Sequence, residues 1–201
     1  MTAAFLVDRQ FEGRHRTGNS VVSPFDESSL QPASIDLRLG NVETIYDLTE
    51  YVLGQDIPEQ RITRRTFDVR KVAPGETVFV TLKETMTIPE DCLGFVFPRS
   101  SITRLGILIP PVYMNPGYVG QMPITIKNTT SFEISIMPDI RVAQLICANL
   151  SAFPSASYGD KAGKYAGEIG AASMIASDPE IREAVQRVLE ASVPSSLRGK
   201  I

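Results

Sequence analysis

The sequence predicts a mainly-β protein of the jelly-roll or barrel kind, on three observations. Short β-branched or aromatic runs, residues 77–82 and 93–97, sit between Pro and Gly punctuation. Other runs, at 34–39, 122–128 and 132–136, alternate polar and apolar residues, the period of a half-buried strand. A chain of 201 residues is long enough for one sizeable core, and all-β domains of this size are routinely single. Many short strands at this spacing suit a sandwich or closed barrel.

Residues 5–16 are read as a short N-terminal helix with a weak pattern, and from Val21 the chain becomes strand-like. The turn Thr129-Thr130-Ser131 separates two alternating runs, and Met137-Pro138-Asp139 introduces a strand over 141–150. Residues 154–173 are rich in Gly, Ala, Ser and Tyr and read as a mobile tail rather than a packed element. Ser177-Asp178-Pro179-Glu180 is a helix start, with a capping residue and Pro in the first turn. Ile181, Ala184, Val185, Val188 and Leu189 follow on one helical face, and Pro194 stops the helix. Such a short helix needs a partner, on the body or on a neighbouring subunit. The expected organisation is a β domain over 1–153, a closing tail over 154–176 and an amphipathic helix over 177–201.

A net charge of -3 gives no reason to expect nucleic-acid or membrane binding. The N-terminus lacks a basic region followed by a long apolar run, and no stretch approaches membrane-spanning length, so the expected location is cytoplasmic. Cys92 and Cys147 have apolar neighbours and read as buried small hydrophobes. With His15 the only histidine, a zinc site of the His/Cys/Cys kind is excluded.

The chemistry concentrates in Arg99-Ser100-Ser101-Ile102-Thr103-Arg104-Leu105-Gly106 and Asn115-Pro116-Gly117-Tyr118-Val119-Gly120. Guanidiniums beside small hydroxyls are the fixed, charge-assisted donors that a polyphosphate needs. A Pro-Gly turn lets backbone amides at Gly117 and Tyr118 approach a flat ring. The two together suggest a nucleoside triphosphate on an all-β scaffold. An exposed basic turn beside an ordinary hairpin is the plainer reading of either run alone.

These residues resemble the central motif of the dCTP deaminase family, within the trimeric dUTPase-like superfamily. The resemblance extends to Leu6-Val7-Asp8-Arg9, to Pro24-Phe25-Asp26-Glu27-Ser28, and to Gln31-Pro32-Ala33-Ser34-Ile35-Asp36-Leu37-Arg38-Leu39-Gly40. Pro74-Gly75-Glu76, Ile88-Pro89-Glu90, Arg141-Val142-Ala143-Gln144-Leu145 and Gly163-Lys164-Tyr165 continue it in order. It implies a distorted jelly-roll barrel and a homotrimer with sites between subunits. It also implies a pyrimidine deoxynucleoside triphosphate as substrate, magnesium carried on the triphosphate, and no metal at the ring. Ser100 and Arg104 match triphosphate and catalytic-site ligands, with Arg99 and Ser101 supporting the same loop. Gln144 matches a core-strand position near the nucleotide. Lys164 matches a tail lysine that folds over the phosphates, and Tyr158 and Tyr165 supply stacking or hydroxyl contacts.

The departures from the family pattern bear on chemistry. The family's general-base glutamate is replaced by Thr125, whose hydroxyl cannot take a proton from water near neutral pH. The carboxylate that positions water in the dUTPase branch is replaced by Asn115, which can orient water but not accept its proton. Glu168 stands where the tail resembles a glutamine, a negative charge ill-suited to phosphates. Asp36 and Glu133 are the remaining carboxylate candidates, with Asp36 read as bracing its own strand. Three readings stay open: a dCTP deaminase or related hydrolase, including one for a modified pyrimidine nucleotide; a nucleotide-holding module without turnover; and a trimer whose site has decayed.

Overall fold

Alternation along the chain becomes strands whose buried parity matches the sequence. The computed structural model describes residues 4–192 except 162 and 171, and not the side chains of 169 and 189–192. Helix α1 spans Asp8–Arg16, followed by strands β1 (Val22–Ser23), β2 (Leu30–Gln31), β3 (Ser34–Tyr46), β4 (Ile62–Thr66), β5 (Arg70–Val72), β6 (Thr77–Leu82) and β7 (Thr85–Thr87). Strand β8 (Cys92–Pro98) leads into a single helical turn, α2 (Ser100–Thr103). Then come β9 (Ile107–Leu108), β10 (Val112–Met114), β11 (Val119–Gln121), β12 (Pro123–Asn128), β13 (Ile134–Ile136), β14 (Arg141–Asn149), β15 (Glu168–Ile169) and helix α3 (Pro179–Ser192).

The largest sheet runs β10-β8-β14-β3-β6-β12-β9, with β2 and β4 also paired to β3. A second sheet runs β1-β7-β11-β15, and β13 pairs with β5. Val78, Val80 and Leu82 of β6, Ile124 and Ile126 of β12, and Leu145 and Cys147 of β14 point into one core with Leu37 and Leu39. A register shift between Arg141 and Ala143 lets Val142 and Ala143 both turn inward, breaking the alternation. Gly40 is required where β3 crosses β6: a Cβ there would lie 2.5 Å from the Thr81 carbonyl oxygen. The mainly-β expectation holds, with short helices near both ends of the described chain.

Several boundaries differ from the sequence reading. The N-terminal helix begins at Asp8, and Phe5 forms a bridge with Ala148 instead. Residues 132–133 are not strand. Asn128, 1% exposed, donates to the carbonyls of Val72 and Phe132 and accepts from Thr130, so its side chain builds the loop before β13. Residues 154–173 are expected as an unpacked tail, yet within them Tyr158 and Tyr165 pack against the core and β15 pairs in parallel with β11.

The described residues fall into two compact units, one within 1–45 and 64–171, the other within 46–63 and 172–201. In the second, α3 packs on Gly54, whose φ is +98° and where a Cβ would lie 2.3 Å from Ile181 Cγ2. Only Ile181 and Val185 of the expected apolar stripe are partly covered, whereas Ala184 and Val188 are exposed. The Leu189 side chain, Pro194 and the rest of the expected helix to 201 lie outside the described residues or side chains. No helix among the described residues is long and apolar enough to cross a membrane.

Candidate functional site

Strand β14 lies between β3 and β8, and its register sets the site. Gln144 stands opposite both Asp36 of β3 and Phe97 of β8. Directly opposed residues share a sheet face, so Gln144 and Asp36 project together. Arg99 follows β8, its N–H donating to the Val142 carbonyl at 3.0 Å. The result is a cleft of about 600 Å³ lined by Gln31, Ser34, Asp36, Arg99, Ser100, Thr103 and Gln144 among others. Thus the adjacent Arg99 and Ser100 and the distant Gln144, three predicted ligands, line one concavity.

Asp36 is the residue whose place the sequence misjudged. It does not merely brace its strand: it forms the cleft floor, with only 1% of its side chain exposed. Gln31 Nε2 donates to it at 3.3 Å, Arg99 Nε lies at 3.5 Å and Arg141 Nη1 at 4.0 Å. Burial raises its pKa, and the two guanidiniums oppose that shift. Gln144 accepts from the Ser34 hydroxyl at 3.4 Å. Gln31, Ser34, Thr103 and Arg141 are the polar neighbours that sequence reasoning missed. The available signal was the polar row Ser34, Asp36, Arg38, matched across the sheet by Gln144 and Arg141.

Ser100, Ser101 and Arg104 are exposed on α2 and at its end. The Arg104 N–H closes the turn onto the Ser100 carbonyl at 3.1 Å, and its guanidinium meets no acceptor among the described residues.

The remaining predicted residues gather elsewhere. Asn115-Pro116-Gly117-Tyr118 is a tight turn: Pro at its second position, Gly117 at φ +80°, and Tyr118 N–H donating to the Asn115 carbonyl at 3.1 Å. The Tyr158 N–H donates to the Pro116 carbonyl at 3.0 Å, and its ring tilts against the buried Tyr118 ring at 6.1 Å. Tyr118 Oη donates to a Glu168 carboxylate oxygen at 2.6 Å. Burial pushes both the Tyr118 and the Glu168 pKa upward. Lys164 lies over the Tyr165 ring, 5.9 Å from its centroid. This second group belongs to the β7-β11-β15 sheet, and none of its residues lines the cleft.

Thr125 is half-buried on β12 opposite Phe79 and is in neither group. Glu133 is half-exposed and paired with Lys71 at 3.0 Å, away from the cleft. Cys92 and Cys147 are buried free thiols, pushed up by burial to about 11 and about 12 respectively, so both stay neutral at physiological pH.

A family model described as dCTP deaminase-like matches residues 5–150. A dCTP deaminase of Halorubrum lacusprofundi is 34% identical over 190 residues, covering 87% of this chain and 93% of its own. A dCTP deaminase, dUMP-forming, of Hydrogenobaculum is 32% identical over 152 residues, covering 75% of this chain and 85% of its own. Among solved structures, the 2'-deoxycytidine 5'-triphosphate deaminase from Agrobacterium tumefaciens superimposes with a TM-score of 0.60 at 21% identity. That match covers 74% of this chain and 50% of the other, so the chain spans half the length of that protein and shares its fold.

Proposed function

The chain belongs to the dCTP deaminase-like family, and from that premise we propose that it binds a pyrimidine deoxynucleoside triphosphate and hydrolyses dCTP to dUTP and ammonia. The observation that carries this reading is the cleft, where Arg99, Ser100 and Gln144 converge from β8, α2 and β14. Guanidinium and hydroxyl donors suit phosphate oxygens rather than a bare divalent cation. Magnesium is therefore assigned to the substrate's own phosphates.

The two groups of candidate residues support a homotrimer whose sites lie between subunits. One protomer would offer the Arg99 cleft, with Ser101 and Arg104 beside it, and another the Gly117 turn with Tyr158, Lys164 and Glu168. The exposed Arg104 guanidinium is then available to a neighbouring chain's nucleotide.

Deamination requires water oxygen to bond to the ring carbon while the carbon–nitrogen bond breaks, one water proton leaving with ammonia and the other ending on the ring nitrogen N3. Thr125 can orient that water through its hydroxyl, and Asn115 through its amide, but neither can hold the proton. The loss of a general base lowers a rate by a factor of ~100 to 10,000, so slow turnover is the expected behaviour. A second reading, a nucleotide-holding module without turnover, is favoured specifically by Thr125 and Asn115.

One experiment separates the readings. The purified protein is titrated with dCTP, dUTP and dTTP plus magnesium, with binding heat, ammonia and pyrophosphate followed together. Ammonia from dCTP supports the deaminase. Binding without product supports the holding module, and pyrophosphate from dUTP alone or from a modified pyrimidine nucleotide supports the related hydrolase. Absence of both binding and product overturns all three.

A further inference from the structure

A line of alternating charges runs from the core to the cleft. Glu84, its side chain 3% exposed, accepts from Arg38 Nε at 2.7 Å and from the Arg38 N–H at 2.8 Å. Arg38 Nη1 lies 3.5 Å from Asp26, and Asp26 lies 3.7 Å from Arg141. Arg141 donates to the Ser28 hydroxyl at 2.6 Å and stands 4.0 Å from Asp36. Asp36 ends the line 3.5 Å from Arg99. The last carboxylate is enclosed, whereas about a third of the Arg99 side chain faces solvent in the cleft.

An enclosed carboxylate keeps its charge only while cations face it. The groups facing Asp36 are Arg99 beyond β8, Arg141 on β14 and the neutral Gln31 on β2, with no lysine or histidine among the cleft residues. Neither arginine grips it in a close bidentate pair, and Arg141 is already shared with Asp26 and Ser28. Arg99 is thus the counter-ion that a ligand in the cleft can draw away.

We propose that Asp36 is a positioning residue that holds Arg99 at the cleft, and that a polyphosphate and Asp36 share this one guanidinium, so that binding is coupled to proton uptake by Asp36. The inference rests on reading the cleft as a phosphate site. No covalent step is involved: one proton moves from buffer to the Asp36 carboxylate as the phosphate oxygens take the guanidinium's donors. The direction of the Asp36 pKa in the free protein agrees, since burial has already displaced it upward. Linkage fixes the sign. The complex binds more protons than the free protein, so affinity falls as pH rises, by at most about tenfold per pH unit for one proton.

The test uses tripolyphosphate and the full chain. Calorimetric titration in two buffers of different ionisation heat, at a series of pH values upward from the ordinary aspartate value of about 3.9, counts protons taken up. Asp36→Asn is measured alongside it, so that the ligand's own titration cancels in the difference. The expected result is that uptake by the wild type exceeds that of Asp36→Asn by up to ~1 proton. Arg99→Gln, which removes the shared group, should also lose the uptake, and it stands as the control if Asp36→Asn does not fold. Equal uptake in wild type and Asp36→Asn overturns the proposal, as does tripolyphosphate binding without uptake or no tripolyphosphate binding at all. If tripolyphosphate binds with Asp36-dependent uptake while no pyrimidine nucleotide binds better than tripolyphosphate, the inference stands and the nucleotide reading fails.

Discussion

In the cleft, a carboxylate with 1% of its surface exposed faces two guanidiniums across 3.5 and 4.0 Å. At the turn, the Glu168 carboxylate takes a 2.6 Å hydrogen bond from Tyr118, and Tyr158 seals the group. Both carboxyls are pushed upward by burial. They differ in what surrounds them. The cleft holds a loosely paired carboxylate and guanidinium, an arrangement that can exchange partners. The turn holds hydrogen bonds already satisfied within the chain, the signature of a place that fixes geometry. The proposed roles, phosphate recognition at the cleft and ring positioning at the turn, call for these opposite qualities.

The largest effect tests whether the cleft is a complete binding site lacking only its chemistry. Thr125→Glu restores a carboxylate to the strand beyond the turn. The expected gain in ammonia release from dCTP is ~100- to 10,000-fold. No gain, with dCTP binding intact, would mean that the turn side of the site does not present the ring to β12.

Next in size is the buried root of the cleft's charge line. Glu84→Ala leaves Arg38, 18% exposed, with only the more distant Asp26. Breaking a buried pair by removing one partner costs about 3 kcal/mol, reduced here by that second carboxylate to about 2. A lowered urea midpoint at unchanged slope is the readout. Arg99→Gln should separate function from folding at acidic pH. Losing one charge-assisted contact costs about 2 kcal/mol, or ~30-fold in triphosphate affinity. The effect on folding should depend on pH: the thermal midpoint stays close to that of the wild type at acidic pH, where Asp36 takes a proton, and falls as pH rises, because Asp36 then keeps only Arg141 at 4.0 Å.

The sequence made the strands of the body legible because their parity is strict: Ile124 and Ile126 face in, Thr125 and Lys127 out. It made half of the cleft legible too, since Arg99 and Ser100 stand in one dense run. Asp36 was harder. Alternation in β3 reads as one wet face, but both faces are covered, and a buried polar face has the same period as an exposed one. The 157–170 segment failed for another reason. Gly, Ala, Ser and Tyr signal looseness by composition, while the tyrosines place their rings against a core that only the fold assembles. The packing of α3 on Gly54 was equally hidden, because more than a hundred residues separate the two and a lone glycine gives no pairing signal.

The two smallest effects lie at the turn, and they test whether it is as self-contained as the cleft is open. Tyr118→Phe removes one hydrogen bond and leaves Glu168 with a partner fewer, worth about 1 kcal/mol. Faster proteolytic cutting within 157–170, with little change in global stability, is the expected result. The pH dependence is smaller still, and its sign follows from Glu168. The folded-state pKa is raised above its ordinary value of 4.5. Its contribution is therefore fully present below that value and is lost as pH rises through the folded pKa. Stability relative to Glu168→Gln should fall with rising pH above about 4.5. A difference that instead grew with pH would mean that the Tyr118 hydrogen bond outweighs burial and holds Glu168 as a carboxylate. The turn would then carry a fixed negative charge beside the ring, and triphosphate affinity should rise in Glu168→Gln.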